Sequence, residues 1–160
     1  MNPIRSNFVN VYFKQRIRLI SSKLLVLCVA FLFLSVKSET KRLKLTLHIT
    51  NIQDVRGRLQ VGIYDNKNDF PKEGKEFKRC FIKVDGNEVK FTVQDMPPGE
   101  YAIAIYHDAN SDGKCNSNFL GVPTECYGFS NNVKPFLSAP SFNATKFSLT
   151  TDRLLTIKLL

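Results

Sequence analysis

Apolar and polar side chains alternate with a period of two in seven short stretches of the chain, a pattern typical of strands with one buried face. The clearest stretch runs from Leu43 to Thr50, where leucine and isoleucine take every odd position. By this pattern, strands are expected at residues 43–50, 59–64, 80–84, 89–93, 101–105, 147–149 and 155–159. Few periodic stretches have the length of a helix. The pattern therefore predicts an all-β fold, a single seven-stranded antiparallel β-sandwich with Greek-key connections.

Turn residues between these stretches predict which strands pair. Residues 54–57 separate the first two strands, and Asp85-Gly86 is a strong tight-turn signal between the third and fourth, so both pairs are expected to form hairpins. Strand 101–105 is apolar on both faces and is expected to be central. Residues 107–143 show no sustained period, which indicates either a functional loop or an element that the pattern misses.

The first 38 residues have the three parts of an export signal. A basic stretch extends to Lys23, an apolar run covers residues 24–34, and small residues surround 35–38. We therefore expect a cleavable signal peptide at 1–38, a sandwich domain at 39–160, and a periplasmic or extracellular location. The apolar run is shorter than the about 20 residues of a bilayer-spanning helix, so no stable membrane span is expected after cleavage. An uncleaved anchor is the alternative.

The net charge of +9 is unevenly distributed along the chain. Six of the 23 basic side chains, and none of the 14 acidic ones, lie in residues 1–38. After Lys44 there is no basic run interleaved with aromatic residues, the pattern expected of a protein that contacts a phosphate backbone. The sequence therefore argues against nucleic-acid binding.

Residues 108–113 spell DxNxDG, which places oxygen-bearing side chains at alternate positions and a glycine where calcium-binding loops turn sharply. Phe119 occupies the position where an EF-hand has an acidic ligand, and no helix pattern flanks the loop, so an EF-hand is excluded. The candidate calcium ligands are Asp108, Asn110, Asp112, Asn116 and Glu125. The alternative is that these residues only form turns, which they favour in any protein.

Three cysteines, Cys80, Cys115 and Cys126, lie outside the expected signal peptide. A disulfide between Cys115 and Cys126 is a hypothesis that fits an oxidising compartment, and Cys80 is expected to be a buried thiol. Neither His48 nor His107 has a catalytic partner visible in the sequence, and no nucleophile, phosphate-binding or zinc motif is present. The motifs therefore give no support for an enzyme.

Residues 96–132 resemble an exported bacterial family of unknown function that has a transthyretin-like sandwich. The resemblance rests on PPGxYA at 97–102, HDxNxDGK at 107–114 and LGxPxExYGFSNN at 120–132, and it extends over nearly all of residues 43–160. It implies a transthyretin-like or immunoglobulin-like fold and export, and it carries no activity. Cys115 and Cys126 depart from the family pattern, so the proposed disulfide is a feature of this chain.

The resemblance and the polar composition both direct attention to loop 107–132. The residues expected to form a binding loop are His107, Tyr127, Phe129, Asn131 and Asn132. The leading hypothesis is a non-enzymatic module that binds a cell-envelope component or partner protein through this loop. One alternative is a small hydrolase or isomerase like the transthyretin-related enzymes, although residues 156–160 lack the tyrosine-bearing tetrapeptide of those enzymes. The other is a purely structural surface module.

Overall fold

The computed structural model describes residues 41–119 and 123–160. The predicted signal peptide and its cleavage site lie outside the described residues. The strands are β1 Leu43–Thr50, β2 Arg58–Tyr64, β3 Lys78–Lys83, β4 Val89–Met96, β5 Gly99–Asp108, β6 Tyr127–Phe129, β7 Phe147–Leu149 and β8 Arg153–Lys158. A 3-10 turn spans Ser130–Asn132, and a short helix, α1, spans Phe142–Thr145. In this part of the chain no helix is long and apolar enough to cross a membrane.

The strands form two sheets, which confirms the all-β prediction. One sheet has the order β4-β1-β8, and the other has the order β3-β2-β5-β6, with β7 paired to the first residues of β5. The alternating apolar residues of both sheets meet in one core, in which Leu45, Leu47 and Ile49 of β1 are fully buried. Truncating such a leucine to alanine typically costs about 2–5 kcal/mol, so this core is the main source of stability.

The hairpin predictions are wrong. Strand β1 pairs with β4 and β8 rather than with β2, and β3 pairs with β2 rather than with β4. The turns after β1 and β3 each lead from one sheet to the other. Because a strand with one buried face has the same alternation in either arrangement, the period does not identify its partner.

The expected sandwich also differs from the structure in two other details. Strands β1 and β8 run parallel, so the prediction of an antiparallel arrangement throughout is wrong for this pair. The described residues contain eight strands, because Tyr127–Phe129 forms β6 within the segment that shows no period. Its three residues, Tyr-Gly-Phe, do not alternate between buried and exposed positions.

Strand β5 is central, as predicted from its two apolar faces, and pairs with β2, β6 and β7. Its odd-numbered residues face the core between the sheets, and Ala102 belongs to a second cluster on the outer face. That cluster contains Tyr64, Phe70, Ala102, Phe129 and Phe142. The outer face of the five-stranded sheet is therefore partly covered by the loop after β2 and by α1.

Candidate functional site: a cavity on the outer face of the five-stranded sheet

A cavity of about 580 Å³ lies on the outer face of β2, β5 and β6. Two small residues line it side by side, because Gly62 of β2 is directly opposite Ala104 of β5. A Cβ atom on Gly62 would lie 2.9 Å from Tyr64 Cε2 and 3.0 Å from Glu76 Cγ. The volume is within the range of small-molecule sites. Gly62 and Ala104 form the floor, and the lack of a side chain on Gly62 makes room for Tyr64 and Glu76, which also line the cavity.

The walls of the cavity are mainly aromatic and apolar. Four aromatic side chains line it, Tyr64, Tyr106, Tyr127 and Phe129. Three prolines from different loops complete the walls, Pro71, Pro123 and Pro135. Leu137 also lines the cavity while 96% exposed, which places it at the mouth. The cavity is thus a pocket open to solvent at one side.

Gln60 places an amide in the wall of this pocket. It is 5% exposed, and Tyr106 Oη lies 2.8 Å from Gln60 Oε1 and 3.2 Å from the Gly113 carbonyl oxygen. One hydroxyl proton can serve only one acceptor, and a primary amide has both a donor and an acceptor end. Whichever end Tyr106 takes, the other end of the Gln60 amide is left to bond a ligand.

The loop after β2 contributes an acidic corner to the pocket, formed by Glu73 and Glu76. Arg79 Nη2 donates to both oxygens of Glu76, at 2.9 and 2.8 Å, and Arg79 Nη1 lies 3.9 Å from Glu73 Oε1. Burial is the largest single influence on the pKa of Glu76 and would raise it. The hydrogen bonds from Arg79, the backbone hydrogen bonds of the loop and the charge of Arg79 together outweigh burial and lower the pKa below its ordinary value. Glu76 is therefore ionised and paired, whereas Glu73 is 59% exposed.

Three other ionisable groups of the pocket keep their protons at neutral pH. Burial, followed by the charge of Glu73, raises the pKa of Tyr106 to about 12. Burial, followed by Glu76, also raises the pKa of Tyr64 far above its ordinary value. Burial, followed by Glu125 and Glu73, raises the pKa of the Cys115 thiol. These three groups are neutral, so the pocket carries only the charges of its acidic corner.

Several side-chain oxygen atoms of the candidate calcium ligands already accept hydrogen bonds within the loop. Asp108 is 1% exposed, and its Oδ2 accepts from Arg58 Nε and from the Gly113 amide, each at 3.0 Å. Glu125 accepts from the amides of Ala109 and Asn116, at 3.2 and 3.0 Å. These bonds hold the two sides of the loop together.

The exposed ligand candidates form a local network of their own. Asp112 Oδ2 accepts from Asn110 Nδ2 and Asn116 Nδ2, and its Oδ1 accepts from the Lys114 amide. The bond from Asn116, followed by that from Lys114, lowers the pKa of Asp112. No group of three or more acidic, histidine or cysteine side chains within the described ranges is arranged to hold a metal. Calcium binding stays a prediction.

The two cysteines predicted to pair are thiols in this structure, as is Cys80. Cys115 lines the pocket on the outer face, whereas Cys126 packs against the core between the sheets. The Cys115–Cys126 bridge stays a prediction.

The predicted binding-loop residues divide into two groups. Tyr127 and Phe129 line the pocket. His107 is 2% exposed and bonds the Arg56 carbonyl oxygen through Nε2 at 2.8 Å, away from the pocket lining. Asn131 and Asn132 also make bonds to the backbone.

Asn131 and Asn132 connect the turn after β6 to neighbouring elements. Asn131 Nδ2 donates to the carbonyl oxygens of Ala144 and Lys146, at 3.4 and 3.0 Å. Asn132 Oδ1 accepts from the Lys158 amide at 2.8 Å. Both have positive φ angles, 60° and 52°, a conformation that asparagine tolerates better than most residues. In this structure they hold the backbone together.

The pocket residues that sequence reasoning missed are Gln60, Gly62, Ala104 and the acidic pair Glu73 and Glu76. One signal for the floor exists in the sequence, because a glycine inside a strand often marks a close approach of another group. No comparable signal marks the acidic pair, which lies in a polar loop of ordinary composition.

The fold and the site define a two-sheet, sandwich-like β domain with a pocket on the outer face of one sheet. Residues 47–157 match the family described as "Uncharacterized protein conserved in bacteria (DUF2141)", and the chain belongs to that family. The predicted resemblance to a bacterial family of unknown function is thereby confirmed. No curated protein and no solved structure matches the chain.

Proposed function

We propose that this protein is an exported, non-enzymatic binding module with a transthyretin-like sandwich, and that it holds a small molecule of the cell envelope in the outer-face pocket. The observation that carries the proposal is the 580 Å³ cavity above Gly62 and Ala104. Export to the periplasm or extracellular space rests on the signal expected at residues 1–38.

The protonation states of the polar groups in the pocket favour a binding protein over the alternative, a hydrolase. A nucleophile or general base must lose or accept a proton near neutral pH. Tyr64, Tyr106 and Cys115 all have raised pKa values, and Glu76 is paired with Arg79. A pocket with neutral hydroxyl and thiol groups is suited to recognition.

Loop 107–132 has a supporting role in this proposal. Cys115 and Pro123 from the loop form one wall of the pocket. The bonds of Asp108 and Glu125 to backbone amides keep that wall in place. The loop identified from the sequence thus shapes the site, while the strands beneath it provide the floor.

Filling the floor tests the proposal. Ala104→Phe is expected to weaken binding of a neutral probe, 1-naphthylmethanol, by at least about tenfold, because the ring would occupy the ligand space. Isothermal titration calorimetry measures the affinity, and Ala144→Phe, at an exposed position of α1, is the matched control. Equal affinities for the wild type and Ala104→Phe would contradict the proposal.

Calcium binding by the loop is a second and separate proposal, favoured by one observation. Asp108 Oδ1 is buried and has no hydrogen-bond partner among the described residues. A buried carboxylate oxygen without a partner is costly unless a ligand compensates it.

We expect calcium to bind with a dissociation constant on the order of 0.1–1 mM, the weak range of extracellular sites. Asp112→Asn is expected to weaken binding about tenfold, because it removes a charge from the candidate ligand set. Asp54→Asn, outside that set, is the control. Calorimetric titration with calcium chloride provides the measurement, and identical heats for all three proteins would remove the site.

A further inference from the structure

We infer that the ligand of the outer-face pocket is a small organic cation, with one positive charge on an apolar body. This inference rests on the proposed function, and it adds the chemical class of the ligand.

The charge of the pocket lining is the first argument. Two carboxylates, Glu73 and Glu76, line the pocket, and among the described residues no lysine, arginine or histidine does. Arg79 neutralises Glu76, since both oxygens of that carboxylate accept from its guanidinium. Arg79 also lies 3.9 Å from Glu73, so the two carboxylates and one guanidinium together leave one net negative charge at this corner of the pocket. Anionic ligands such as phosphates and carboxylates are therefore disfavoured, although the chain as a whole is basic.

The second argument is the effect of the Glu73 charge on the pKa values of neighbouring groups. Its negative charge contributes to the raised pKa values of three lining groups, Tyr64, Tyr106 and Cys115. These groups come from β2, β5 and the loop after β5. All three groups line the pocket together with Glu73. A cation in the pocket would be attracted by the same charge.

The aromatic walls are the third argument. The faces of tyrosine and phenylalanine rings attract cations and also pack against apolar surface. The pocket has four such rings, Tyr64, Tyr106, Tyr127 and Phe129. A ligand with a charged group and an apolar body would use both properties. The free end of the Gln60 amide would add a hydrogen bond.

Three probes of similar shape test the inference, namely 1-naphthylmethylammonium, 1-naphthylmethanol and 1-naphthoate. Their affinities for the full chain are measured by isothermal titration calorimetry at low and high salt. We expect the cation to bind about fivefold more tightly than the neutral probe, at the upper end of what one partly exposed ion pair contributes. The anion should bind most weakly. The preference for the cation should shrink at high salt, because ions screen the attraction.

Glu73→Gln and Glu88→Gln form a matched pair of variants. Both remove one carboxylate of similar exposure, 59% and 60%, and Glu88 bonds His48 of the other sheet. Glu73→Gln is expected to bring the cation to the affinity of the neutral probe and to leave the neutral probe unchanged. Glu88→Gln should keep the wild-type preference.

The outcomes separate the inference from the proposed function. If the three probes bind equally and Ala104→Phe abolishes their binding, the ligand class is wrong and the pocket is still the site. If Glu73→Gln still binds the cation more tightly than the neutral probe, the inference is also overturned. If no probe binds the wild type, the proposed function fails and the inference fails with it.

Discussion

Replacing Gly57 by alanine is expected to destabilise the protein by about 4 kcal/mol or more, among the largest effects of a single substitution. Gly57 lies between β1 and β2 with a φ angle of +67°. A Cβ atom there would overlap the Asp108 carbonyl oxygen and lie 2.7 Å from Ala109 Cα. These are backbone atoms at the end of β5, so they cannot move aside as a flexible side chain can. Denaturant unfolding followed by circular dichroism measures the loss.

Gly74 provides the matched control for this prediction. It also has a positive φ angle, +81°, but a Cβ atom there would meet nothing within 4 Å. Gly74→Ala should therefore cost only about 1 kcal/mol, the price of a left-handed conformation for a residue with a side chain. If the two variants lose the same stability, the close approach of Gly57 to Asp108 is not the cause. Because Asp108 and Ala109 begin the loop that walls the pocket, Gly57→Ala should also weaken probe binding.

Replacing Ser130 by alanine is expected to cost about 3 kcal/mol, since it leaves two buried backbone groups without partners. Ser130 is fully buried, and its Oγ accepts from the Ile103 amide at 2.9 Å and donates to the Thr145 carbonyl oxygen at 2.6 Å. Strand β7 pairs with β5 as far as Tyr101, and β6 pairs with it from Ala104 onward. The serine hydroxyl thus occupies the gap between two short strands on the same side of β5.

Ser148→Ala is the control for Ser130→Ala, because Ser148 is exposed in β7 and a surface change of this kind is usually within about 0.5 kcal/mol. Thermal and denaturant unfolding of both variants provide the comparison. A loss below about 1 kcal/mol in Ser130→Ala would show that the hydroxyl is not needed to join the two strands. A large loss would show that β6, which carries Tyr127 and Phe129 into the pocket, depends on this bond.

Strand positions were predictable where one face is buried and the other is not. Strand β1 was predicted at 43–50 and lies at Leu43–Thr50, since every second residue contacts the core. Strand β6 was missed because Gly128 and Phe129 are both buried, on opposite faces, so its three residues show no alternation. Burial of both faces hid β6 because the strand is also short, since β5 was predicted although both of its faces are apolar.

The candidate site was predictable only in part. Tyr127 and Phe129 were expected at a binding site because they lie in a long segment without a period. Both residues line the pocket. His107 was expected there as well, but its position on an odd-numbered residue of β5 turns it toward the other face. The DxNxDG pattern predicted ligands, and in the structure several of the same oxygen atoms accept hydrogen bonds within the loop. A turn and a cation site use the same residue types, so composition does not separate them.

By itself, the amino-acid sequence determined the all-β class, seven strand positions, the core-facing side of each alternating strand and membership of the bacterial family. These features depend on residues close together in the chain or on motifs within it. Only the tertiary structure decided that β1 lies between β4 and β8, that Gly62 faces Ala104, and that Glu73 and Tyr106 line the same pocket. The physical reason is that strand partners and cavities arise from contacts between distant segments, and alternation along one segment is the same whichever partner it meets.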